Sequence, residues 1–189
     1  TIASALSALV CTALAVSALS FLLVGFEPGK HVGFVPMGVV GAIMPVGFAV
    51  MALRFAWGID GPRARASVGA ASVALGLLFA WQPLLLLLRM VLPQAGIIDG
   101  IEAVLAGPVD PVLRAAGVPL MLILVIGAFA GLPLFVVLGG LAFFLFLRSG
   151  GSLEVIPNEA YTLLPGPILP AIPLFPLTGF ILSESGAAD

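Results

Sequence analysis

Long uncharged apolar runs alternate with short, polar, turn-rich breaks along the whole chain. Thr1 to Phe26 holds no charged residue, and Glu27-Pro-Gly-Lys-His31 closes it. These 26 residues exceed the ~20 that a helix needs to cross a hydrocarbon core. Val32 to Leu53 is a second run, with Pro36 near its start and Pro45 in its middle, where a kink is expected. Arg54, Asp60, Arg63 and Arg65 then form a polar loop around Gly61-Pro62, and Ala66 to Leu88 makes a third run that ends at Arg89 and Pro93. Trp57 and Trp81 suit interfacial anchoring, and Trp81 equally suits packing within a bundle.

Between residues 93 and 117 the pattern changes. Prolines and glycines punctuate a stretch holding Asp99, Glu102, Asp110 and Arg114. Apolar residues at 97, 98, 101, 104 and 105 follow the i, i+3, i+4, i+7 spacing of a short amphipathic helix, expected to lie along a membrane surface. Ala115 to Leu147 is uncharged throughout and too long for one untilted span, so a kinked helix or a bend at Gly131-Leu-Pro133 is expected. Arg148-Ser-Gly-Gly-Ser152 and a polar loop through Glu154, Asn158 and Glu159 follow. The last run, Tyr161 to Ser183, is again uncharged but carries prolines at 165, 167, 170, 173 and 176.

Composition narrows the class. Hydrophobic residues make up 61% and charged residues 8%, against about a quarter charged in soluble domains. The pattern is that of an all-α integral membrane protein with about four transmembrane helices plus the start of a proline-rich re-entrant hairpin. A lone Cys11 excludes an internal disulfide, and reads as a small core residue. The only histidine, His31, beside Lys30, reads as solvated. Asp99, Glu102 and Asp110 lack the spacing of a calcium loop and read as a solvated linker. Neither a phosphate-binding glycine loop nor a nucleic-acid signature is present. Three arginines in the loop after the second run, against Lys30 alone after the first, place residues 54–65 in the cytoplasm. Simple alternation then puts Gly100 outside and Ser152 inside, and has the proline stretch enter from the cytoplasm.

That proline stretch is the candidate site. A proline inside a helix removes a donor and clashes one turn back, at about 3 kcal/mol. Irregular backbone survives in a bilayer only under cover of protein or of a water-filled cavity. Helices broken near the midplane are how transporters build sites for substrates and ions. Leu169, Pro170, Ala171, Ile172, Pro173, Thr178, Gly179 and Ser183 are the candidate contributors. A kinked structural span with no ligand contact is the alternative, with each hydroxyl bonded to the carbonyl one turn back.

Two segments carry a family resemblance. Gly131-Leu-Pro-Leu-Phe-Val-Val-Leu-Gly-Gly-Leu-Ala142 resembles a segment near the start of the large membrane subunit of TRAP transporters, the tripartite ATP-independent periplasmic transporters. Ala171-Ile-Pro-Leu-Phe-Pro-Leu-Thr-Gly179 and Glu184-Ser-Gly-Ala187 look like that subunit's next motif, departing at Pro170 and Pro176. Met44 to Phe55 resembles the last helix of the small membrane subunit. The resemblance implies a fused small–large permease. Residues 1–60 would be the end of the small part, 61–117 a connecting transmembrane helix and periplasmic linker, and 118–189 the start of the large part with its first re-entrant hairpin. It implies Na⁺-coupled import of organic acids such as dicarboxylates, handed over by a periplasmic binding protein, at a bacterial inner membrane. No cofactor or catalytic residue is implied; Na⁺ would be the coupling ion. The chain reads as an excerpt whose large domain continues past Asp189, so that half of the site lies elsewhere. A membrane assembly or scaffold protein with proline-kinked helices is the competing expectation.

Overall fold

The computed structural model describes residues 2–25, 31–32, 34–59, 61–91, 96–153, 155–163 and 168–184. The described chain is helical apart from a two-residue antiparallel ladder, β1 (His31–Val32) with β2 (Val35–Pro36). The helices are α1 (Ile2–Val24), α2 (Met37–Gly41), α3 (Ile43–Trp57), α4 (Pro62–Phe79), α5 (Trp81–Val91), α6 (Gly96–Val104), α7 (Asp110–Phe129), α8 (Leu134–Ser149), α9 (Val155–Leu163) and α10 (Ile168–Glu184). A π-helical turn, Leu105–Val109, joins α6 to α7.

α1 is the central post. Every residue from Ser7 to Leu14 is buried, and α3, α4, α5, α8 and α9 all pack on it. Small residues make this possible. A Cβ at Gly76 of α4 would sit 2.7 Å from the Leu9 carbonyl, and one at Gly140 of α8 would meet Val10 at 3.0 Å. The large core side chains lie farther out, where Phe144 meets Phe79 and Phe143 edge-on at 5.2 and 5.4 Å.

The surface, like the core, is largely apolar, unlike that of a water-soluble domain. Ser7, Thr12, Ser17, Ser20 and Ser72 are buried, whereas α3 turns Ile43, Val46, Val50 and Leu53 outward. The buried hydroxyls of Thr12, Ser17 and Ser72 donate to the carbonyl four residues back, which satisfies them without another helix. Each exposed apolar side chain would cost about 25 cal/mol per Å² in water; against hydrocarbon it costs nothing. Three helical stretches, Ile2–Val24, Gly38–Trp57 and Ile98–Phe129, are long and apolar enough to cross a membrane. The bent pair α4–α5 makes a fourth if it is one span. The architecture is consistent with a multi-pass membrane protein.

Prolines set the breaks, one turn ahead of themselves. Pro45 has no N–H for the Gly41 carbonyl, and the helical pattern lapses at Ala42 between α2 and α3, although Ala42 keeps helical dihedrals and Gly38–Trp57 remains one span. Pro83 stands in the same relation to Phe79, and α4 and α5 bend by 79° at Ala80. The third apolar run is therefore an 18-residue helix followed by an 11-residue one laid across it, not a straight span over 66–88. Pro108 falls in the π-helical turn, whose wider ring accommodates it. Pro119 is carried within α7 without a break.

The long run 115–147 does not cross once: it folds back. α7 and α8 pack antiparallel, pairing Gly117 with Phe144, Gly140 with Leu124 and Gly150 with Arg114. The turn is a Schellman cap: Leu132 N–H donates to the Gly127 carbonyl at 2.8 Å, with Gly131 left-handed at φ 91°. Leu132 folds over Gly127 so closely that a Cβ there would fall on its Cδ1. The end of α8 repeats the motif, with Gly151 N–H on the Phe146 carbonyl at 3.1 Å and Gly150 at φ 72°.

This hairpin overturns the sidedness expected from alternation. α1 and α3 run antiparallel, with Ser4 beside Gly58, and α1 and α4 run parallel, with Leu9 and Thr12 beside Gly76. Phe135, just past the hairpin turn, lies 6.3 Å from Phe55 near the 58–61 loop, and Phe144 reaches Phe79 at the far end. Gly100 and Ser152 therefore belong to the same end of the bundle. Arg54, Arg63 and Arg65 stand at one end; Arg89, Arg114 and Arg148 stand at the other. Among the described residues three arginines face three, and the charge asymmetry used to choose a cytoplasmic side disappears.

Candidate functional site

Leu169, Pro170, Ala171, Ile172, Pro173, Thr178, Gly179 and Ser183 all lie on one element, α10. Its backbone is continuous helix from Ile168 to Glu184, where irregular chain was expected; Pro165 and Pro167 lie outside the described residues. The helix tolerates Pro170 because the third helical position has no intrahelical acceptor to serve. Pro173 and Pro176 do remove donors. The carbonyls of Leu169 and Ile172 are left without the N–H that would normally cap them one turn on. Two backbone oxygens three residues apart, free of their usual bonds, are the chemical asset of this segment.

The polar side chains contribute less. Thr178 Oγ1 donates to the Leu174 carbonyl at 2.7 Å, the bond anticipated if the residue served only its own helix. Ser183 is exposed, and a Cβ at Gly179 would meet nothing within 4 Å. α10 packs broadly on no other described element, and Ile172, Leu174, Phe175, Leu177, Phe180 and Ile181 are exposed. The structure thus gathers the candidates on one helix, and among the described residues no second element packs broadly against them.

Elsewhere the acidic linker divides in two. Arg89 bonds Asp99 at 2.9 Å and Glu102 at 2.5 Å, tying α5 to α6, and all three side chains remain solvated. Asp110 does not. It is nearly buried at the first position of α7, with Arg114 Nε 2.6 Å from its Oδ2 and Oδ1 unpartnered. The contact is close in distance but not aligned as a hydrogen bond. The Arg114 guanidinium lies over Gly150, against the carboxyl-terminal end of α8, where positive charge is favoured. The i, i+4 spacing of Asp110 and Arg114 was the sequence signal for this pair.

Cys11 is a buried core residue. Trp57 is 63% exposed at the end of α3, while Trp81 is 7% exposed and packs inside the bundle. His31 enters the ladder through its backbone; its side chain lies outside the described part. Among the described residues no three His, Cys, Asp or Glu side chains come together as metal ligands. Comparison of the chain with protein-family models, curated proteins and solved structures finds no match in any of the three.

Proposed function

We propose that the chain is a permease component of a secondary transporter that imports organic acids with Na⁺, its substrate delivered by a periplasmic binding protein at a bacterial inner membrane. The observation that carries this reading is the pair of segments at 131–142 and 171–179, which resemble consecutive motifs of the TRAP large membrane subunit in the same order. The chemistry of α10 is compatible with it. Carbonyls released at Leu169 and Ile172 are neutral hard oxygen ligands of the kind that replace the hydration of a small cation. The apolar surface of α10 needs a covering that the described bundle does not supply.

A scaffold or assembly role is the second reading, and the Thr178–Leu174 bond favours it. Flux separates the two. The assembled permease, reconstituted in liposomes with its binding protein, is expected to accumulate radiolabelled dicarboxylate under an inward Na⁺ gradient. Uptake no greater than in protein-free liposomes would sink the transport reading.

A further inference from the structure

A groove of about 610 Å³ runs along the outer surface between α3 and α4, well away from α10. Its walls include Trp57, Arg65, Ala66, Gly69, Ala70 and Leu77. The lined part of α4, Pro62 to Leu77, rises about 22 Å at 1.5 Å per residue. One leaflet of a bilayer offers roughly 15 Å of hydrocarbon, half the full core. The groove is therefore long enough for a chain to lie along a whole leaflet, and it is open to the surroundings along that length.

The two ends of the groove differ. Toward Leu77 it is apolar throughout. At the α3–α4 turn it opens beside Trp57 and Arg65, with Arg54 in the last turn of α3 and Arg63 in the first turn of α4. Arg65 Nε donates to the Ile59 carbonyl at 3.4 Å, which holds the guanidinium at the mouth. An arginine fork is suited to bidentate contact with phosphate. Three arginines accompany one acidic residue, Asp60, in this part of the sequence. Among the described residues the ion pairs are made by Arg89 and Arg114 instead.

We propose that this groove is a site for an anionic phospholipid, with an acyl chain along Gly69 and Ala70 and the headgroup phosphate on Arg65, assisted by Arg63 and Arg54. The site rests on the membrane-spanning reading of the apolar surface and is independent of transport. Uniform solvation by bulk lipid would need no arginine cluster at one mouth.

Native mass spectrometry of the full chain in detergent, titrated with dioleoyl-phosphatidylglycerol or dioleoyl-phosphatidylcholine, tests it. Phosphatidylglycerol is expected to bind at least tenfold more tightly, with the preference shrinking as salt is raised. Arg65→Ala and Arg63→Ala should each weaken it about fivefold, Arg65→Lys should recover part of that loss, and Arg148→Ala at the other end should change nothing. Ala70→Trp, which fills the groove, should weaken both lipids. Equal affinity for the two lipids, or an Ala70→Trp variant that binds like wild type, would overturn the proposal. So would quantitative disulfide formation between two copies of an Ala70→Cys variant, since the groove would then hold a second chain. If an arginine variant fails to fold, the salt titration of the wild-type protein decides alone.

Discussion

At Gly127 one added methyl group would collide with the turn that the residue helps to close. Its Cβ would fall on the Leu132 side chain, and unless that side chain swings aside overpacking costs about 1–3 kcal/mol. Gly127→Ala is expected to lower the thermal unfolding midpoint in detergent. Gly150→Ala should also do so, by about 1–2 kcal/mol for a left-handed alanine, and it would push against the Arg114 guanidinium. Arg89→Ala makes the contrast. Its side chain is 53% exposed and Asp99 76%, so loss of those bonds should cost less than about 1 kcal/mol and vanish at high salt. An Arg89→Ala effect as large as that of Gly127→Ala would mean that the α5–α6 tie is a structural keystone.

At the scale of the element, prolines decide where helices stop, and the decision should be reversible. Pro83→Ala restores a donor to the Phe79 carbonyl. With the present 79° bend, Val73 and Met90 are separated by about 20 Å along the two helix legs, and a straight helix would separate them by about 26 Å. Spin labels at these positions are expected to move apart in Pro83→Ala. An unchanged distance would show that the bend is held by burial of Trp81 and Leu85 rather than by the missing N–H. In α10 the same substitution asks a functional question. Pro173→Ala gives the Leu169 carbonyl a partner and should stabilise the helix by up to about 3 kcal/mol. If that carbonyl serves a cation, the variant transporter should need more Na⁺ for half-maximal uptake. A more stable helix with unaltered Na⁺ dependence would favour the scaffold reading.

For the whole molecule, the α7–α8 hairpin fixes which loops share a side. Cysteines at Gly100 and Ser152, introduced with Cys11 replaced by serine, are expected to react with an impermeant maleimide from the same side of sealed membranes. A cysteine at Arg63 should react from the opposite side. Labelling of Gly100 and Ser152 from opposite sides would require the hairpin to open into a single crossing.

The apolar runs by themselves pointed to a helical chain suited to a bilayer. A spanning backbone must be satisfied within a helix or a closed barrel, and these runs are too long and too evenly apolar for alternating barrel strands of about 10 residues. Local chemistry likewise announced the interruption at Pro45 and the bend at Gly131-Leu-Pro133, since a missing N–H or a left-handed glycine acts within one turn; the bend at Pro83 went against the single span expected over 66–88. The burial of Asp110 and the shared side of Gly100 and Ser152 were not legible, and for Trp81 the sequence left interface and interior equally open. Each depends on residues distant in sequence, such as Phe144 against Gly117 and Leu124 against Gly140. A 33-residue uncharged run reads the same whether it crosses once or folds back; only the packing of small residues against large ones selected the hairpin. The proline segment was legible as a source of unmatched carbonyls, but it was expected as irregular chain and not as the continuous helix it forms. What those carbonyls face is a matter of tertiary contact, which the eight candidate residues on α10 do not make among themselves.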